Sequence, residues 1–172
     1  MGGHSGIDSA DQRVVTRGIW GTGEISDGRV ERFRVATWAE RAVHPRGPTA
    51  VIIAGRGALS SYEALRRFAE RTGTPVVCSM GGMGAMPSNH PLYLGMLGHT
   101  GDKKANEAIA VAETIFALGT RLDMRQTGTA PDLWKGKRVV MVNSDARELE
   151  YARVEVEAEC MTVEEWLLVQ DA

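Results

Sequence analysis

Aromatic residues are scarce in this chain, at 6% of the sequence, and cysteine is scarcer, with two among 172 residues. Cys78 and Cys160 form no CxxC pair and have no histidines at ligand spacing, which argues against a zinc site or a disulfide framework. Cys78 follows Val76 and Val77 and is expected to sit buried at a strand end as an inert, reduced thiol, in keeping with a cytoplasmic protein. Neither sign of charge dominates. A formal net charge of -2 leaves no basic footprint for nucleic acid or an anionic membrane surface. No apolar run approaches the roughly 20 residues of a membrane span. The opening MGGHSGIDSADQRVV has no apolar segment of the secretory type, and Gly6 stands where myristoylation requires Ser or Thr.

What remains is a composition of 43% hydrophobic and 24% charged residues, typical of one ordinary globular domain. Residues 1–29 are Gly-rich and polar without a helical or strand period. They read as an arm, partly ordered by packing of Trp20. From Val30 to Ala42 apolar residues recur at three-to-four spacing, which predicts an amphipathic helix. Ala50–Ala54 is a short, uniformly apolar run of the kind found in buried parallel strands. Ser60 and Glu63 have capping-box spacing for a helix through Leu65, Phe68 and Ala69 that ends at Thr72-Gly73. Pro75–Ser79 predicts the next strand, Ala105–Ala112 a helix, Thr114–Leu118 and Arg138–Val142 two further strands, and Ala146–Tyr151 a short helix. Val154–Val156 reads as a short alternating strand, and Thr162 with Glu165 as the capping box of a final helix through Leu167 and Val169. This alternation predicts a doubly wound, mostly parallel α/β sheet with helices on both faces, whose ligands lie along the strand C-termini.

Three turns could carry chemistry. In Ala54-Gly-Arg-Gly-Ala58, Gly55 and Gly57 would let backbone amides approach a pyrophosphate at a helix N-terminus, though a tight turn that binds nothing fits as well. The full dinucleotide fingerprint is missing, since Ser60 replaces the third Gly and no acidic residue follows the second strand. Ser79–Met86 sets three glycines among methionines, a lining suited to a flat ring or to filling core gaps. It opens a long irregular stretch through His90 and His99 to Gly101, in which neither histidine has a visible partner as a general base. In the run Ala117–Gly128, the residues Arg121, Asp123, Arg125 and Thr127 alternate. If the segment is extended, all four point one way and the guanidiniums could clamp a diphosphate, with Asp123 orienting one of them. A surface salt-bridge cluster is the alternative.

Thr74–Gly84, His90-Pro-Leu92, Met96–Gly101, Ala105-Asn106 and Leu118–Gly128, in that order, resemble the central domain of acetolactate synthase and related thiamine diphosphate enzymes. The likeness covers about residues 30 to 165, and the run Gly-x-Arg-x-Asp-x-Arg-x-Thr-Gly is most similar to the FAD-binding members. The resemblance implies a Rossmann-like fold, with residues 30–172 as the domain. It also implies FAD or ADP in a structural role, contacted by Gly55, Arg56, Gly57, Ser79, Met80, Leu97, Gly98, Gly119, Arg121, Asp123 and Arg125. If a nucleotide binds, Arg121, directly after Gly119 and Thr120 at a strand C-terminus, is expected to be its main charged anchor.

In that family a pyrimidine-binding domain supplies the catalytic Glu, and a diphosphate-binding domain holds the cofactor's metal through a Gly-Asp-Gly motif. Neither appears here, and Ser26-Asp27-Gly28 is the nearest match to that motif. Thiamine diphosphate and Mg are therefore expected only in the complete enzyme, and this chain alone is expected to be inactive. Its expected partners are chains or domains carrying the two missing modules. A homo-oligomer is also expected, with Trp20, Trp38 and Trp134 as candidates for exposed contact patches. His99-Thr100, Asn143-Ser144 and Glu159-Cys160 depart from the flavin members' pattern. An independent flavin or nucleotide-binding subunit and a scaffold with an empty pocket both remain open.

Overall fold

The computed structural model describes residues 43–44, 47–48, 50–128 and 131–171. The expected arm, the helix over 30–42, Trp20 and Trp38 lie outside them. After a two-residue antiparallel ladder (Val43–His44 with Gly47–Pro48), six strands form one sheet. They are β1 (Ala50–Ala54), β2 (Val76–Cys78), β3 (Tyr93–Met96), β4 (Thr114–Leu118), β5 (Arg138–Val142) and β6 (Glu157–Glu159). All neighbours are parallel, in the spatial order β3-β2-β1-β4-β5-β6. The α-helices are α1 (Tyr62–Thr72), α2 (Lys103–Val111), α3 (Met124–Thr127), α4 (Ala146–Glu150) and α5 (Val163–Asp171).

The central strands are buried at every position, because successive residues feed two separate cores. On one face Ile52, Phe116 and Val140 meet Leu65 and Phe68 of α1 and Trp166 of α5. Phe68, Phe116 and Trp166 stack there with ring centroids 5.6–6.4 Å apart. On the other face Val51, Ile115 and Met141 meet Ala105 and Ile109 of α2 and Leu149 of α4. The capping box at α5 is formed: Glu165 N–H donates to Thr162 Oγ1 at 3.2 Å, and Thr162 N–H donates to the Glu165 carboxylate at 2.8 Å.

Five expectations need correction. Ser60 and Glu63 form no capping box: a 3-10 turn over Arg56–Ser61 moves the helix start to Tyr62, and Ser61 caps without a side-chain bond. The irregular stretch after Ser79 contains β3. The last strand is Glu157–Glu159 rather than Val154–Val156; Val154 and Val156 instead pack their side chains against the second core. Residues 121–127 are not an extended segment. Asp123 Oδ1 accepts from Arg125 N–H at 3.0 Å and starts α3, which turns Thr127 inward so that it is buried, its hydroxyl donating to the Asp123 carbonyl at 3.0 Å. Trp134 is not a surface patch either: it is 5% exposed, and its indole N–H donates to the Thr127 carbonyl at 3.1 Å.

Candidate functional site

The strand order reverses between β1 and β4, so their exits diverge toward opposite faces and open a gap at the C-terminal edge. Glycines floor this gap. Gly57 N–H donates to the Gly119 carbonyl at 3.0 Å, and Gly55 N–H donates to the Leu118 carbonyl at 2.8 Å. A Cβ on Gly55 would run into the Gly119 carbonyl. Gly55 and Gly57 thus join the two turns with amides already engaged, and neither lines the cleft above them. Of the two readings open for this turn, a pyrophosphate site or a tight turn that binds nothing, the engagement of both amides by backbone carbonyls fits the second.

The cleft encloses about 920 Å³ and runs across the ends of β3, β2, β1, β4 and β5. Its composition changes along that line. At the ends of β3 and β2 come Met96, Leu97, Gly98, Ser79 and Met80. Arg56 follows β1 beside Gly81, Gly119 and Thr120 follow β4, and Arg125 in α3 lies with its backbone against Gly98 and His99. Asn143, Asp145 and Glu148 close the β5 end. Arg121 and Asp123 also line it. One Arg121 nitrogen is 4.0 Å from Asp123 and another 3.7 Å from Glu148. Among the described residues Arg56 and Arg125 have no ion-pair partner.

Leu122 explains this outward display. It is fully buried and adopts φ +51, rare for a branched residue, so its side chain enters the second core while Arg121 and Asp123 project outward. Polar cross-links fix the rest. Thr120 Oγ1 donates to Gln126 Oε1 at 2.7 Å, and Asn143 Nδ2 donates to the Thr120 carbonyl at 3.3 Å.

Gly81, Met96, His99, Thr100, Thr120, Gln126, Asn143, Asp145 and Glu148 line the cleft but were not among the residues singled out as contacts. Their signal was positional: Met96 ends a strand and the others follow strand C-termini. Glu159 and Cys160 do not line it; burial raises the Glu159 carboxyl, and Glu157 beside it adds to the rise. His90 has a partner that sequence order concealed: its Nε2 lies 3.0 Å from Glu70 of α1, away from the cleft. Burial pushes the Cys78 thiol up, and its sulfur sits 2.9 Å from the Tyr93 hydroxyl. Among the described residues no cluster of His, Cys, Asp and Glu could hold a metal ion, and no helix is long and apolar enough to cross a membrane.

The sequence profile of the thiamine pyrophosphate enzyme central domain matches residues 46–163. The chain belongs to that family. Acetolactate synthase 1 of Zea mays is 41% identical over 99 residues, covering 58% of this chain and 16% of that protein. The large subunit of acetolactate synthase isozyme 2 of Escherichia coli K12 is 34% identical over 106 residues, covering 62% and 19%. Sulfoacetaldehyde acetyltransferase of Castellaniella defragrans is 40% identical, covering 58% and 17%. The matched region of this central domain thus spans less than a fifth of each of these relatives. A structure titled as a thiamin diphosphate-dependent enzyme of Mycobacterium smegmatis superposes with TM-score 0.61 at 22% identity, covering 80% of this chain and 27% of that one, which establishes the shared fold.

Proposed function

We propose that this central domain works within an acetolactate-synthase-like thiamine diphosphate enzyme, and that its cleft holds a nucleoside diphosphate, FAD or ADP, in a structural and assembly role. The observation that carries the reading is the ordered change of chemistry along the cleft. Apolar methionines at the β2–β3 end suit a flat ring, the guanidiniums of Arg56 and Arg125, without an ion-pair partner among the described residues, suit a diphosphate, and carboxylates with Asn143 at the β5 end suit ribose hydroxyls. Five strand ends at about 4.8 Å spacing give a span of roughly 19 Å, which favours the longer FAD. When bound, the nucleotide would bridge the two halves of the sheet and leave catalysis to the domains that hold thiamine diphosphate and Mg. Assembly with those domains, homo-oligomerisation and a cytoplasmic location belong to the same proposal.

The pairing of Arg121 with Asp123 and Glu148 changes the expected anchor. Its charge is already offset, so Arg56 and Arg125 should carry more of the diphosphate. Titration of FAD and ADP tests this. Arg125→Ala should weaken binding about 10- to 150-fold, and Arg121→Ala less. The reverse order returns the anchor to Arg121. A parent that binds neither nucleotide favours the empty scaffold, a reading that the self-paired Arg121 cluster supports.

A further inference from the structure

We infer that Asn106 is a positioning residue for the cleft, setting the wall that follows β3 and, through it, the placement of Arg125; this rests on the nucleotide reading above. Asn106 lies on α2, half-buried, and does not itself line the cleft. Its side-chain amide makes two bonds with a single residue. Oδ1 accepts from the Gly98 N–H at 3.1 Å, and Nδ2 donates to the Gly98 carbonyl at 3.1 Å. Together they hold both backbone groups of Gly98, as a paired strand would.

Gly98 needs that hold. Its φ is +122, a conformation side-chain-bearing residues avoid, and its Cβ direction is filled by the Arg125 carbonyl oxygen. The next amide, His99 N–H, donates to that same carbonyl at 3.4 Å. The Asn106 amide, the Gly98–His99 wall and the Arg125 backbone therefore form one continuous stack. The guanidinium without an ion-pair partner extends from the last member. Releasing Gly98 frees the wall and, with it, the base from which Arg125 reaches the diphosphate.

A double-mutant cycle read by FAD titration tests this, together with hydrogen exchange across residues 97–100. Asn106→Ala should weaken FAD about 5- to 30-fold and speed exchange across 97–100. Asn106→Asp keeps an acceptor for the Gly98 N–H but sets a carboxylate oxygen against the Gly98 carbonyl, so it should also speed exchange across 97–100 and weaken FAD, which guards against a poorly folding alanine variant. Asn106→Ala should add little to Arg125→Met, because both remove the same contact. Fully additive losses, or unchanged exchange across 97–100 in Asn106→Ala, overturn the positioning role. A parent that binds neither FAD nor ADP overturns the nucleotide reading and the affinity claim with it. The exchange comparison then decides separately whether Asn106 holds the wall.

Discussion

Replacing Gly119 with alanine puts a methyl group into the contact that joins the two halves of the sheet. Its Cβ would stand 2.6 Å from the Gly57 Cα, 2.7 Å from the Gly57 carbonyl carbon and 2.9 Å from the Ala58 nitrogen. All three are backbone atoms, so no side chain can swing aside. The backbone there is also left-handed, with φ +62, which costs an alanine about 1–2 kcal/mol. Separating the turns stretches the Gly57-to-Gly119 hydrogen bond, worth about 1 kcal/mol. The sum is roughly 2–3 kcal/mol, a large share of the 5–15 kcal/mol typical of a domain. Gly136→Ala is the control. Gly136 has φ +76 but nothing within 4 Å of its Cβ position, so it should show the conformational cost alone. Urea unfolding followed by circular dichroism measures both. Equal losses in the two variants would show that the Gly57–Gly119 contact yields freely and refute the steric argument.

Other outcomes follow from the same structure. Arg138 grips Glu157 through two bonds of 2.8 and 2.7 Å at a largely buried position between β5 and β6, so Arg138→Met should cost roughly 1.5–3 kcal/mol in the same assay. Burial raises both the Cys78 thiol and the Tyr93 hydroxyl. The native state therefore keeps protons that the unfolded chain releases, and stability should fall as pH rises past the ordinary thiol range near about 8.5; urea midpoints at neutral and alkaline pH check the sign. Mass spectrometry after brief alkylation at neutral pH should find label on exposed Cys160 and not on buried Cys78.

The sequence exposed most where one force acted alone. Ala50–Ala54 and Thr114–Leu118 are buried on both faces, so an unbroken apolar run was sufficient to locate them. Thr162 and Glu165 lie at a helix start with no competing partner, and their spacing could be read directly. β3 was hidden because Tyr93-Leu-Gly-Met is an edge strand, half-exposed throughout and interrupted by Gly95. β6 was displaced because its residues, Glu-Ala-Glu, look like a surface segment until Arg138 pairs across to Glu157. Residues 121–127 misled for a different reason. Alternating polar residues suggest a strand, but Asp123 captures the Arg125 amide and bends the chain into α3. Of the expected contacts, those after strand ends line one cleft. Gly55 and Gly57 do not, because the backbone partner that occupies their amides lies more than sixty residues away in sequence.

That distant partner also explains why a cleft exists at all. β1 leads outward to β2 and β3, and β4 leads outward to β5 and β6, so the β1–β4 ladder is where the halves pair within the sheet, with the glycine contact above it. The exit from β1 must turn toward the Phe68 core and the exit from β4 toward the core that takes Leu122. Two chains leaving neighbouring strands in opposite directions cannot cover the seam between them. Side chains at Gly55 or Gly119 would force the turns apart, and glycine lets them close into a floor one backbone thick. Anything resting on that floor meets the turn after β1 from one half and the turn after β4 from the other. A ligand spanning the seam would then bind both halves of the sheet at once, and its binding energy would oppose their separation. This topology supports the proposed structural role for a bound nucleotide, a role that asks for no chemistry in the cleft.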